Sequence, residues 1–237
     1  MQLFAPVFAA ILVAGAVSAA PVTFPAADGV TVHADYQGQG KQPLIVLFHQ
    51  AGSNLHEYDP IVPRLHDLGF DTMAVSQRSG GARFGGTNET ALGVGGDPEY
   101  LAAYPDMVAA LDFARGKSGQ VVVWGSSYSS ALVFKLASEH PKGVVGVLSF
   151  SPGEYFGSAF SVKMAAAKVA APVFVTSASD AGEIAAAKAI VAAVPGQVTQ
   201  FVPKRGVHGS STLRDDQNPK GAAENWAAVE AFLVPLR

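Results

Sequence analysis

Apolar positions along this chain follow two rhythms, short continuous runs and longer stretches with helical spacing, and they alternate almost from end to end. The plainest run is Leu44–Phe48 (LIVLF), which marks a strand buried on both faces. Before it, Val30–Tyr36 alternates apolar and polar residues and predicts a half-exposed edge strand. A helix from Glu57 to Leu68, stopped by Gly69, is expected next, then a strand over Phe70–Val75, a helix over Pro98–Arg115 and a strand over Val121–Trp124. The second half repeats the beat. Helices are predicted at Ser130–Glu139 (closed by Pro141), Ala159–Val169, Ile184–Val194 and Ala222–Leu233, with strands at Val144–Phe150, Pro172–Thr176 and Val198–Val202 between them. Strand–helix alternation at this spacing predicts an α/β architecture, a mostly parallel central sheet with helices on both faces. No linker or internal repeat divides the chain, so residues 21–237 read as a single domain.

Two segments break the rhythm. Arg78–Asp97 contains seven glycines and reads as a long loop at the C-terminal end of a central strand, where ligands bind in open α/β sheets. Residues 1–20 carry no charge from Leu3 to Ala20 and end in Val17-Ser18-Ala19-Ala20-Pro21, the pattern of an export signal cut after Ala19 or Ala20. Met1-Gln2 lacks the usual basic residue, and the alternatives are an uncleaved anchor, for which Leu3–Ala20 is barely long enough, or an ordinary apolar N-terminus. The expected location is the periplasm or the extracellular space, without stable membrane association once the leader is removed.

Composition narrows the chemistry. The 237 residues carry a formal net charge of -3 and no basic cluster, which argues against a nucleic-acid partner. Cysteine is absent, so disulfides, thiolate metal sites and a cysteine nucleophile are excluded. The six histidines are scattered without metal-ligand spacing, and neither a metal nor another cofactor is expected. Gly116-Lys117-Ser118 lacks the first glycine of a phosphate loop and ends a helix instead of opening one. Asp106 and Asp112 read as a solvated helix face.

The sharpest signal is Gly125-Ser126-Ser127-Tyr128-Ser129, between the apolar run Val121–Trp124 and a helical pattern. A strand–turn–helix of this kind holds a nucleophile in strained backbone geometry, and it needs small residues two positions to either side. Gly125 and Ser129 fill those positions, and register selects Ser127 among the serines. The Tyr128 N–H and the start of the following helix then lie where an oxyanion develops. A serine hydroxyl needs a base, and the base needs a carboxylate to fix its tautomer. Asp180 follows the strand Pro172–Thr176, and His208 sits in a Gly-flanked loop after Val198–Val202, both on the rim expected for Ser127. Glu183 competes with Asp180 as the acid, Glu154 less well, and Asp180 is also a natural helix N-cap.

With His49–Gly52 directly after the buried strand, these landmarks make the chain resemble the α/β-hydrolase superfamily, and within it the dienelactone hydrolase-like branch. The strand–helix order covers essentially the whole of residues 21–237. That resemblance implies hydrolysis of esters or related acyl compounds, a small-molecule acyl substrate and no cofactor. It further implies that a main-chain N–H after the first buried strand completes the oxyanion hole, from Ala51 or, as runner-up, Gln50. Dienelactone hydrolases use a cysteine where this chain has Ser127, which points toward serine esterase chemistry. A peptidase or acyltransferase with the same triad, and a non-catalytic binding protein on this scaffold, are the rival expectations. The substrate pocket is expected between the 78–97 loop and Gly153–Phe160, where Tyr155, Phe156 and Phe160 offer apolar contacts; Arg78 or Arg83 could meet a substrate carboxylate, although a structural salt bridge is the favoured reading for either.

Overall fold

A computed structural model describes residues 19–38 and 43–237. The expected leader lies outside the described residues up to position 18. Eight strands form one sheet: β1 (Ala20–Pro25), β2 (Thr31–Gln37), β3 (Leu44–Phe48), β4 (Asp71–Ser76), β5 (Val121–Ser126), β6 (Val144–Phe150), β7 (Val173–Thr176) and β8 (Val198–Gln200). Their order across the sheet is β1-β2-β4-β3-β5-β6-β7-β8. β2 runs antiparallel to both β1 and β4, and every pairing from β4 to β8 is parallel.

Among the described residues the edge strands are therefore β1 and β8, and the stretch Val30–Tyr36, predicted as an edge, is flanked on both sides. Pro21 and Pro25 conceal β1 in the sequence, yet an edge position tolerates them because one side of the strand has no ladder to donate to.

Helices are α1 (Val62–Asp67), α2 (Glu89–Val94), α3 (Tyr104–Arg115), α4 (Tyr128–Glu139), α5 (Val162–Ala166), α6 (Ala181–Val191) and α7 (Ala222–Leu233). The helix expected over Glu57–Leu68 is split into a 3-10 turn, Leu55–Tyr58, and α1, which starts with Pro63 in its first turn. The glycine-rich stretch is less irregular than expected, because Asn88 caps α2 within it through a bond from the Ala91 N–H.

All five residues of β3 are buried, and they alternate between two cores. Leu44, Val46 and Phe48 join Met107 and Leu111 of α3 and Leu132 of α4, whereas Ile45 and Leu47 join Leu65 of α1 and Trp226 and Phe232 of α7. Burying each such side chain contributes about 1.5–3 kcal/mol. The helix layers on both faces thus follow from a strand with no polar side. Because β3 and β5 to β8 run parallel, the loops that leave them gather along one rim of the sheet.

Candidate active site

Ser127 alone separates the end of β5 from the start of α4, and it has φ 58° and ψ −123°. A non-glycine residue in the left-handed half of backbone space costs about 1–3 kcal/mol and persists only where its surroundings enforce it. Here its N–H donates to the Phe150 carbonyl at 2.9 Å, and its own carbonyl accepts from the Ser130 N–H at 2.9 Å. Ser151, directly after β6, shares the positive φ (59°), and its N–H donates to the Thr176 carbonyl at 2.8 Å. A methyl group on Gly125 would lie 2.3 Å from the Ser129 carbonyl oxygen, so only glycine fits there. Ser129 does more than fit its position. Its hydroxyl donates to the His49 carbonyl at 2.7 Å and accepts from Gln77 Nε2 at 2.8 Å, which ties the elbow to the end of β3.

Ser127 Oγ lies 2.8 Å from His208 Nε2, and His208 Nδ1 lies 2.7 Å from Glu183 Oε1. A carboxylate only accepts, so Nδ1 carries the proton and Nε2 is left to accept from the Ser127 hydroxyl. Burial pushes the Glu183 carboxyl up, but hydrogen bonds from His208, the Ser151 hydroxyl and the Ala178 N–H outweigh it and hold it down at about 2. The Ala178 bond is 2.9 Å long, to Oε2.

Asp180, the expected acid, does not meet His208. Its Oδ1 accepts from the N–H groups of Gly182 and Glu183 at 2.8 and 3.1 Å, as the N-cap of α6. The correction comes from where the helix begins. α6 starts at Ala181, three residues before the predicted Ile184, so its first turn carries residue 183 into the site and leaves residue 180 outside as the cap.

Of the expected oxyanion donors, Tyr128 N–H is the first amide of α4, where no intrahelical acceptor exists. The Ala51 amide has no partner among the described residues. Gln50, the runner-up, is ruled out as a donor to substrate, because its N–H donates to Glu57 Oε2 at 2.8 Å. His49 is buried, with Nε2 accepting from the Gln77 N–H at 2.9 Å and Nδ1 donating to the Gln50 carbonyl at 2.8 Å. Burial lowers its pKa to about 4, which keeps the ring neutral.

A cleft of about 620 Å³ opens beside Ala51, lined further by Ser79, Asp97, Glu99, Tyr100 and Tyr155. Tyr155 donates to the Ser151 carbonyl at 2.6 Å and stands next to the Ser127 hydroxyl. Phe156 and Phe160, expected in the pocket, pack against the core instead. Arg78 is not available to a substrate either. It is buried and bonds Asp106 at 2.7 Å and Asp28, so Asp106 is an interior partner and not part of a solvated face. Arg83 lies over the Phe84 ring. The glycine-rich segment is fastened to the β3 loop, with Asn54 Nδ2 donating to the carbonyls of Gly81 and Gly85 at 2.9 and 3.0 Å. Tyr155 lines the cleft as expected, whereas the functional loops also rest on two residues that the sequence did not single out, Ser151 and Glu57. Only Ser151 left a trace, as a small residue at the end of a buried strand.

Among the described residues, no group of side chains is arranged to hold a metal ion, and no helix is long and apolar enough to cross a membrane. Residues 43–218 match the family described as alpha/beta hydrolase fold. An esterase from Pyrococcus furiosus is similar in structure, with TM-score 0.69 and 16% identity over 92% of each chain. A carboxyl esterase from Bacillus coagulans aligns with TM-score 0.69 and 12% identity over 92% of this chain and 99% of its own. A dienelactone hydrolase from Anabaena variabilis gives TM-score 0.68 and 16% identity over 91% of this chain and 95% of its own. None of the curated proteins matches by sequence. At these identities the likeness is one of fold.

Proposed function

Since the chain belongs to the alpha/beta hydrolase family, we propose that it is a serine hydrolase that cleaves small acyl esters through an acyl-enzyme. The observation that carries this reading is the line from Ser127 Oγ through His208 to Glu183, with bonds of 2.8 and 2.7 Å. Ser127 Oγ attacks the acyl carbonyl carbon while its proton passes to His208 Nε2. Glu183 stabilises the imidazolium and keeps the ring in register. The N–H groups of Ala51 and Tyr128 hold the oxyanion. Collapse breaks the bond to the leaving oxygen, which takes the proton from His208. A water then gives a proton to His208 and attacks the acyl carbon, and the second collapse frees the acid and restores the Ser127 hydroxyl.

Serine in place of the cysteine of the dienelactone hydrolase-like branch directs the proposal to esters in general and not to dienelactones in particular. Export is proposed on the leader pattern, and cleavage after Ala19 leaves β1 whole. The N-terminus of protein recovered from the periplasm or medium, read by mass spectrometry, checks that point.

A fluorophosphonate probe should label Ser127 in the wild-type protein, and Ser127→Ala should abolish labelling and lower ester turnover by on the order of 10³ or more. Amide and lactone substrates run alongside test the peptidase and lactonase alternatives. An unlabelled wild type, or an active S127A, would overturn the proposal.

A further inference from the structure

Glu57 lies in the 3-10 turn Leu55–Tyr58, fully buried, seven residues past Gln50. Oε2 accepts from the Gln50 N–H at 2.8 Å and Oε1 from Gln50 Nε2 at 3.1 Å, so both oxygens grip one residue. The hydroxyls of Ser53 and Ser126 also reach the carboxyl. Gln50 Nε2 donates in addition to Ser211 Oγ at 3.1 Å, in the turn that follows His208. Ser126 Oγ accepts from the Ser210 N–H at 2.8 Å, and Arg214 donates to the Glu57 carbonyl at 2.8 Å. The loops that carry Ala51, Ser127 and His208 are therefore joined around Glu57, the last of them through Gln50, Ser126 and the Glu57 main-chain carbonyl.

An apolar side chain would fill the same space without the desolvation cost of a buried acid. What it would not supply is two acceptors that fix the peptide before Ala51. With the Gln50 N–H turned inward, the next amide, on Ala51, has no partner among the described residues.

From this geometry we propose that Glu57 is the positioning residue of the oxyanion site, holding the Ala51 N–H at the place where charge develops on the substrate. The inference rests on the serine-hydrolase reading. A donor misplaced by about 1 Å loses on the order of 10² in rate even though nothing that touches substrate has been removed. Burial pushes the Glu57 carboxyl up, and Glu57→Gln keeps the shape and one oxygen acceptor.

The test compares E57A and E57Q with wild type in ester turnover and in inhibition by a trifluoromethyl ketone bearing the same acyl chain, which forms a tetrahedral oxyanion adduct. In E57A, kcat should fall about 10²-fold with KM changed by less than about threefold, and ketone affinity should fall in parallel with kcat/KM. E57Q should recover most of the loss. A folded E57A with wild-type kcat, a loss carried by KM, or unchanged ketone affinity overturns the inference. If E57A does not fold, Gln50→Ala cuts the side-chain links and leaves the backbone bond. It should lower kcat about tenfold, and wild-type kcat in that variant counts against the proposal just as decisively. An unlabelled wild type would sink the hydrolase reading itself, whereas a labelled wild type with unaffected variants sinks this inference alone.

Discussion

Replacing the two acidic residues at the start of α6 one at a time separates the proposed triad of Ser127, His208 and Glu183 from the scaffold that carries it. In Glu183→Gln the amide replaces an acceptor with a donor opposite His208 Nδ1. The ring then favours the tautomer with its proton on Nε2, which cannot take the Ser127 proton. Loss of the correct tautomer in a geometrically intact triad lowers kcat by on the order of 10³–10⁴. In Asp180→Ala the triad keeps every member, and what disappears is a cap that satisfies two amides of an eleven-residue helix. That loss costs about 1 kcal/mol and lowers Tm by about 2–4 °C for a chain of this size. Because one of the capped amides belongs to Glu183 itself, a drop in kcat of up to about fivefold is expected in D180A. Ester hydrolysis and urea denaturation, measured on the same preparations, give both readouts. If D180A retains its stability and loses activity more than about a hundredfold while E183Q stays active, the assignment of the acid is wrong.

Gly125→Ala drives a methyl group into the Ser129 carbonyl and should cost about 1–3 kcal/mol in urea unfolding; an unchanged midpoint would mean the elbow is looser than described. Arg78→Ala leaves Asp106 buried without its partner and should cost about 3–5 kcal/mol, read by the same method. Glu183 has a folded pKa of about 2 against an ordinary 4.5, so its stabilising contribution is complete above pH 4.5 and is lost as pH falls toward 2. The slope of stability against pH across that window should be shallower in E183Q than in wild type, and equal slopes would contradict the shift.

The parts of the molecule written in local pattern were legible in the sequence. LIVLF specifies β3 to the residue, because a strand buried on both faces has no polar position to blur its ends. Gly125 and Ser129 frame Ser127 at a fixed spacing, and His208 is the histidine late enough in the chain to follow the acid. What escaped was decided by distant or cooperative events. Asp180 and Glu183 lie within one helical turn, and only the choice of cap determines which of them turns toward the rim. Whether Gln50 or Ala51 offers its amide depends on a carboxyl buried seven residues away. β1 was hidden by prolines that a central strand could not accept, and the interior partner of Arg78 was hidden because Asp106 sits on a helix face that reads as solvated.

Ser127 and Ser151 follow neighbouring strands with the same positive φ, each lending its amide to the carbonyl of the strand beside it. The rim thus works as a staircase, in which one step cannot be lowered without disturbing the next. Substitutions at these treads, above all β-branched ones, would propagate sideways across three strands before they reached a substrate.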